Sequence, residues 1–198
     1  MSADVDLEAL RHGRCLLIAT DTVYGLAALP GSPGYSEIFR LKQRPAGQVL
    51  PWLIADAAQL ERWAAEPPAY ALRLAAALWP GGLTLVLRAS ERARALGCIA
   101  ADGTVALRVP DDARCRSLLA ALDAPLACTS ANLHGQPAPV RLEDIHPSLE
   151  PWCAQVIAPS CPGGAASTIV DCTGGSPRIL REGCIPAAAV AFAASAGA

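Results

Sequence analysis

A chain of 198 residues with 53% hydrophobic and 17% charged side chains can bury a sizeable core and carries too few charges for a disordered segment. Its formal net charge of −2 excludes a protein that grips nucleic acid through a broad basic face and leaves only a local basic cleft, for which Arg11, Arg14, Arg40, Lys42 and Arg44 are candidates. The runs "CLLIA" at 15–19 and "PAAAVAFAA" at 186–194 fall short of a bilayer span, and "MSADVDLEALRHGR" lacks the flank and apolar stretch of a secretory signal, so no membrane partner and a cytoplasmic location are expected.

In chain order, "DVDLEALRHG" reads as an opening helix stopped by Gly13, and "RCLLIAT" as a buried strand leading into the polar loop "DTVYG". "SPGYSEIFRLKQR" has helical spacing, with Ser32 as N-cap, Pro33 at the first helical position and Pro45 beyond its end. "VLPWLIA" reads as a strand whose Pro51 belongs on an edge or at a bulge. A helix over "PPAYALRLAAALW" is closed by "PGG", and the strands "LTLVLRAS" and "TVALRVP" follow. "DDARCRSLLAAL" is a capped amphipathic helix, "APLACTS" a strand, "ANLHGQPAPV" a loop and "RLEDIHPSLE" partly helical. The short strands "AQVIAPS", "STIVDC" and "RILRE" and an alanine-rich helix complete a single domain over 1–198. This interleaving predicts an α/β fold on a mixed or largely parallel twisted sheet, with ligands beyond strand ends on the loops.

Standard phosphate-loop, dinucleotide, metalloprotease and nucleophile-elbow motifs are absent. The three histidines sit at a helix end (His12), in a loop (His134) and before a proline (His146), positions that suit solvated or structural roles. Eight cysteines lie at 15, 98, 115, 128, 153, 161, 172 and 184 without metal-ligand spacing and read as reduced thiols serving as small apolar residues, so no structural metal is expected. What remains is a series of strand-end loops rich in hydroxyls, amides and single cations: Thr20, Asp21, Thr22 and Tyr24; Lys42 and Arg44; Thr104 and Arg108; Thr129, Ser130 and Asn132; Ser167, Thr168 and Arg181. Four convergent cations with neutral donors suit anionic groups such as phosphates and carboxylates. Taken singly, Thr22 and Ser130 also read as turn or cap residues, and Arg108 and Arg181 as members of surface ion pairs.

Lys42 is the one lysine against fifteen arginines. A compact, rotatable ammonium fits between several phosphate oxygens where a planar guanidinium does not. The alternative is a lysine on a solvated helix end.

The ordered motifs "TDTVYGL", "LKQRP", "LWPGGLTLVL", "TVALRVP", "TSANLHGQP", "STIVDC" and "LREG" resemble the YrdC-like family of threonylcarbamoyl-AMP synthases over about residues 7–185. The resemblance implies a twisted open mixed sheet flanked by helices around a concave basic cavity. It implies an enzyme, a nucleotidyltransferase that makes L-threonylcarbamoyladenylate and pyrophosphate from L-threonine, bicarbonate and ATP. Magnesium is expected with the triphosphate, and tRNA is met only weakly or through a downstream threonylcarbamoyl transferase. Carried over by motif, Thr22, Arg108, Ser167 and the backbone around Cys128 would contact threonine. Arg44, Gln48, Thr104, Ser130, Asn132 and Arg181 would contact ATP, with Lys42 and Arg44 as catalytic cations at the phosphates. This sequence departs from the family pattern at Leu53, where histidine is frequent, at Asp21 in place of glutamate, at Gln48 in place of asparagine and at Ala138 in place of serine. Longer relatives carry a further carboxyl-terminal domain, and this chain is expected to hold the catalytic domain alone. Two other readings remain, a related carbamoyl-transfer module and a non-catalytic RNA-binding domain.

Overall fold

A computed structural model describes residues 3–43, 45, 48–133, 135–149, 153–156 and 164–195. The elements in order are α1 (Ala3–Arg11), β1 (Cys15–Ile18), β2 (Gly25–Ala28), α2 (Pro33–Lys42), β3 (Trp52–Leu53), α3 (Leu60–Trp63), α4 (Ala69–Leu78) and β4 (Leu83–Arg88). They continue with α5 (Glu91–Ala95), β5 (Thr104–Arg108), α6 (Ala113–Leu122), β6 (Leu126–Ser130), β7 (Cys153–Val156), β8 (Thr168–Asp171), β9 (Arg178–Arg181) and α7 (Ala187–Ser195). Among the described residues, no helix is long and apolar enough to cross a membrane.

The helix boundaries follow local chemistry. Gly13 ends the first helical segment with φ +75°, and a Cβ there would lie 2.8 Å from the Pro33 ring, so glycine serves both the turn and the packing. Ser32 caps α2 by accepting from the Tyr35 N–H at 3.3 Å, with Pro33 at the first position, and Gln43 closes it in the left-handed region at φ 53°. Asp112 caps α6 by accepting from the Cys115 N–H at 2.7 Å.

The strands form one mixed sheet in the order β7-β1-β2-β6-β3-β5-β4-β8-β9. β1–β7, β3–β5 and β4–β8 are parallel and the other neighbours antiparallel, so the largely parallel alternative is corrected. Two strands differ from the sequence expectation. The Gly-Leu-Ala-Ala of β2 has little strand propensity, yet it pairs on both sides, Ala27 with Leu16 and with Cys128, and this pairing overrides composition. β3 is interior rather than an edge; Pro51 escapes the ladder by standing just before it and accepts from the Cys128 N–H at 2.8 Å.

Alternation along the strands sorts the core into two layers. Leu17, Leu26, Trp52, Leu85 and Leu107 face a large cluster shared with α2 and α4, while Leu16, Ile18, Ala27, Leu53, Leu126 and Cys128 face a smaller one shared with α1 and α6. Of the six cysteines whose side chains are described, five are buried and none is in a disulfide; burial pushes the Cys115 thiol up and the Cys172 thiol to about 12, whereas Cys184 is exposed.

The β8–β9 hairpin is fastened by Asp171. One carboxylate oxygen accepts from the Thr173 N–H at 2.9 Å and hydroxyl at 2.7 Å, and the other accepts from Arg178 at 2.8 Å. The Arg178 hydrogen bond and then Thr173 hold its pKa below the ordinary 3.8. A depressed folded pKa contributes stability that is complete above the unfolded value and is lost as pH falls through the folded one. Asp171→Asn is therefore expected to lower stability by about 1–2 kcal/mol in urea unfolding at pH 7. The difference should shrink as pH drops below the usual carboxylate range; a pH-independent difference would contradict this account.

Candidate active site

The layer packed on α1 and α6 covers β1, β2 and β6, and past these helices the same face of the sheet opens into a cavity of ≈ 430 Å³. Its floor is made of cavity-facing strand positions: Gly25, Leu53, Thr84, Val86, Ala106, Arg108, Cys128, Ser130 and Ile169. Register explains the grouping, since Leu53 lies opposite Arg108, Ala106 opposite Val86, and Thr84 opposite Ile169. Small residues make the space. A Cβ on Gly25 would stand 2.6 Å from the Cys128 sulfur, so a side chain there would displace the thiol. The ligand space therefore lies on a sheet face as well as on loops.

Arg108 anchors the polar wall. Its Nε donates to the Gly81 carbonyl at 2.9 Å, Nη1 to the Thr22 hydroxyl at 2.9 Å and Nη2 to the Asp21 carboxylate at 2.6 Å. Both charges of the Asp21–Arg108 pair are largely buried, at 14% and 8% side-chain exposure, so each depends on the other. Among the described residues three of the five guanidinium donors are used, leaving two for a ligand. Thr20 donates to the Val23 carbonyl at 2.8 Å, so in the Thr20–Thr22 contact at 2.9 Å the proton belongs to Thr22. The Thr22 oxygen thus accepts from Arg108, donates to Thr20 and keeps one lone pair.

Arg181 reaches the cavity from the outermost strand β9, where it lies opposite Ile169. It donates to the Ser167 carbonyl at 2.8 and 3.1 Å and to the Ser167 hydroxyl at 3.2 Å. Thr84 donates to the same hydroxyl at 2.9 Å, which leaves the Ser167 proton available. Arg181 remains exposed at the sheet edge, but partial desolvation of its guanidinium lowers its pKa, and the nearby Arg108 guanidinium lowers it further. Among the described residues lining the cavity there is no carboxylate, so two cations face a space that an anion would relieve.

Lys42 ends α2 and is 3% exposed. Its ammonium donates to the Ser130 carbonyl, to the Asn132 carbonyl at 2.6 Å and to Asn132 Oδ1 at 2.9 Å. The compact ammonium does sit among several oxygens, and these are the protein's own.

Thr22, Arg108, Cys128, Ser130, Ser167 and Arg181 line one cavity, and Asn132 adjoins it through its hydrogen bond with the Ser130 hydroxyl. Other expected residues lie elsewhere. Thr104 is at the opposite end of β5, where its hydroxyl donates to Asp102 at 2.7 Å, and Gln48 is exposed outside the lining. Arg44 and His134 lie outside the described residues. Thr168 faces away from the cavity and ties the chain after β9 to β8, accepting from the Gly183 N–H at 2.9 Å and donating to the Ile185 carbonyl at 2.6 Å. Arg11 and Arg40 pair with Glu8 and Glu37 on their own helices, so the basic cleft proposed from the amino-terminal third is corrected to Arg108 and Arg181. Thr84 was legible only as a lone hydroxyl inside the apolar strand "LTLVL".

A family model for Sua5, YciO and YrdC proteins, described as "Telomere recombination", matches residues 8–183. The chain belongs to the Sua5–YciO–YrdC family. A threonylcarbamoyl-AMP synthase of Bacillus subtilis is 34% identical over 88% of this chain and 51% of that protein, and one of Pyrococcus abyssi is 36% identical over 89% and 52%. The chain thus spans about half the length of these two family members. Among solved family structures, Pyrococcus abyssi Sua5 complexed with L-threonine matches with a TM-score of 0.88 at 31% identity, covering 96% of this chain and 56% of that one. Escherichia coli YciO matches with a TM-score of 0.81 at 26% identity, covering 91% and 88%. These similarities agree with the mixed sheet flanked by helices.

The two guanidinium groups predict opposite mutational behaviour. Arg108→Ala leaves Asp21 without its counter-charge and is expected to cost about 3–5 kcal/mol in urea unfolding. Arg181→Ala removes a cation that no lining carboxylate offsets and is expected to change stability by less than about 1 kcal/mol. Equal losses in the two variants would refute this division.

Proposed function

We propose that the chain forms L-threonylcarbamoyladenylate and pyrophosphate from L-threonine, bicarbonate and ATP, as a nucleotidyltransferase serving tRNA modification. The observation that carries this reading is the cavity in which Arg108, Arg181, Thr22, Ser130 and Ser167 converge with no carboxylate on the described lining. The threonylcarbamoyl-AMP synthases among its relatives add weight.

On this reading the threonine carboxylate takes the two remaining Arg108 donors and the Ser167 proton, and the backbone around Cys128 borders the amino acid. The lone pair left on Thr22 accepts an N–H of the amine. The amine nitrogen forms a bond to the carbon of bicarbonate-derived carbon dioxide and loses a proton to solvent, giving a carbamate. A carbamate oxygen then bonds to the α-phosphorus of ATP as the bond to pyrophosphate breaks.

Negative charge gathers on the leaving group, where Arg181 and Ser130 stabilise it, with Asn132 beside them and Arg44 as a further nucleotide contact carried over by motif. Holding three reactants together supplies much of the remaining acceleration, and no covalent enzyme intermediate is needed. Magnesium would arrive with the triphosphate and be held by phosphate oxygens, since the described lining offers it no carboxylate. The product would pass to a downstream threonylcarbamoyl transferase, the tRNA being met there.

Purified protein supplied with ATP, bicarbonate and threonine is expected to release pyrophosphate only when all three are present. Release that is indifferent to threonine, measured by a coupled pyrophosphate assay, would sink the proposal.

A further inference from the structure

The carboxyl end of β6 is pinned from two directions. The Ala131 N–H donates to the Tyr24 carbonyl at 2.8 Å, while the Ser130 carbonyl of the same peptide unit accepts from Lys42. Lys42 also holds both oxygens of Asn132, whose Oδ1 accepts from the Ser130 hydroxyl and whose Nδ2 donates to the Gln136 carbonyl. One ammonium therefore sets the carbonyl of Ser130, the carbonyl of Asn132 and the rotamer of the Asn132 amide. Ser130 lines the cavity and Lys42 does not.

Among the described residues three oxygens surround this nearly dry nitrogen, a set that suits the three donors of an ammonium. A guanidinium spreads its donors over a plane and needs more room. The same cage explains why lysine stands here in a chain that otherwise uses arginine.

We infer that Lys42 is a positioning residue that acts on the nucleotide through Ser130 and Asn132 and does not itself touch a phosphate. The inference rests on the proposed adenylate synthesis.

A mutant cycle tests it, comparing adenylate formation by Lys42→Met, by Ser130→Ala combined with Asn132→Ala, and by all three changes together. Lys42→Met alone is expected to lower kcat/KM for ATP by about 10²-fold through misplacement of the site. Threonine affinity by calorimetry should stay within about twofold, since the side chains proposed to hold it, Thr22, Arg108 and Ser167, lie outside β6. In the Ser130→Ala/Asn132→Ala background the further loss from Lys42→Met should shrink to about threefold or less, because the groups it positions are gone. Lys42→Arg should be as impaired as Lys42→Met.

The same factor lost in both backgrounds would mean direct phosphate contact and overturn the inference, and rescue by arginine would overturn the ammonium cage on which it rests. If Lys42→Met loses cooperative melting, Lys42→Gln, which retains an amide donor, replaces it in the cycle. If the unsubstituted chain makes no adenylate, the proposed reaction fails on its own account. The cycle is then read from calorimetric ATP affinities, where non-additivity supports the positioning role and additivity rejects it.

Discussion

A guanidinium can be buried only where a carboxylate and neutral acceptors close around it, and the geometry of the cavity depends on Arg108 meeting that condition. Asp21 and Thr22 come from the loop after β1, Gly81 from the turn before β4, and Arg108 from the end of β5. One side chain thus joins three segments remote along the chain, and their hydrogen bonds decide which of its donors face the ligand space. The direction of the Thr22 hydroxyl follows from the same network.

Arg181 is the electrostatic counterpart. It is held by the carbonyl and hydroxyl of Ser167, and partial desolvation together with Arg108 lowers its affinity for its own proton. Two guanidinium groups, of which only Arg108 has a carboxylate partner, leave an unbalanced positive charge over a floor that includes the apolar Leu53, Val86, Ala106 and Ile169. Chemistry in such a place works by holding and neutralising anions.

Local signals in the sequence were sufficient where one residue decides the outcome. Ser32 and Pro33 mark the start of α2, Asp112 that of α6, and the hydroxyl- and cation-bearing loops contain seven residues that the fold brings to one cavity: Thr20, Thr22, Arg108, Thr129, Ser130, Ser167 and Arg181. Features decided by partners were not legible. β2 exists because β1 and β6 flank it, β3 is interior because Pro51 stands outside the ladder, and α5 is a short helix capped by Ser90. Thr104 and Arg108 share a strand face, but the three residues between them separate their side chains by more than a ligand-contact distance, and Asp102 claims the threonine. The reason for a lysine at position 42 could be stated as a need for several oxygens around one nitrogen, while the source of those oxygens required the fold.

β9 ends the sheet, with a single four-residue partner strand behind it. Outer strands fray before central ones, so Arg181 is in place only while this edge stays zipped. Affinity for an anion would then fade on warming ahead of global melting, and a bound ligand would in return slow amide exchange along the hairpin.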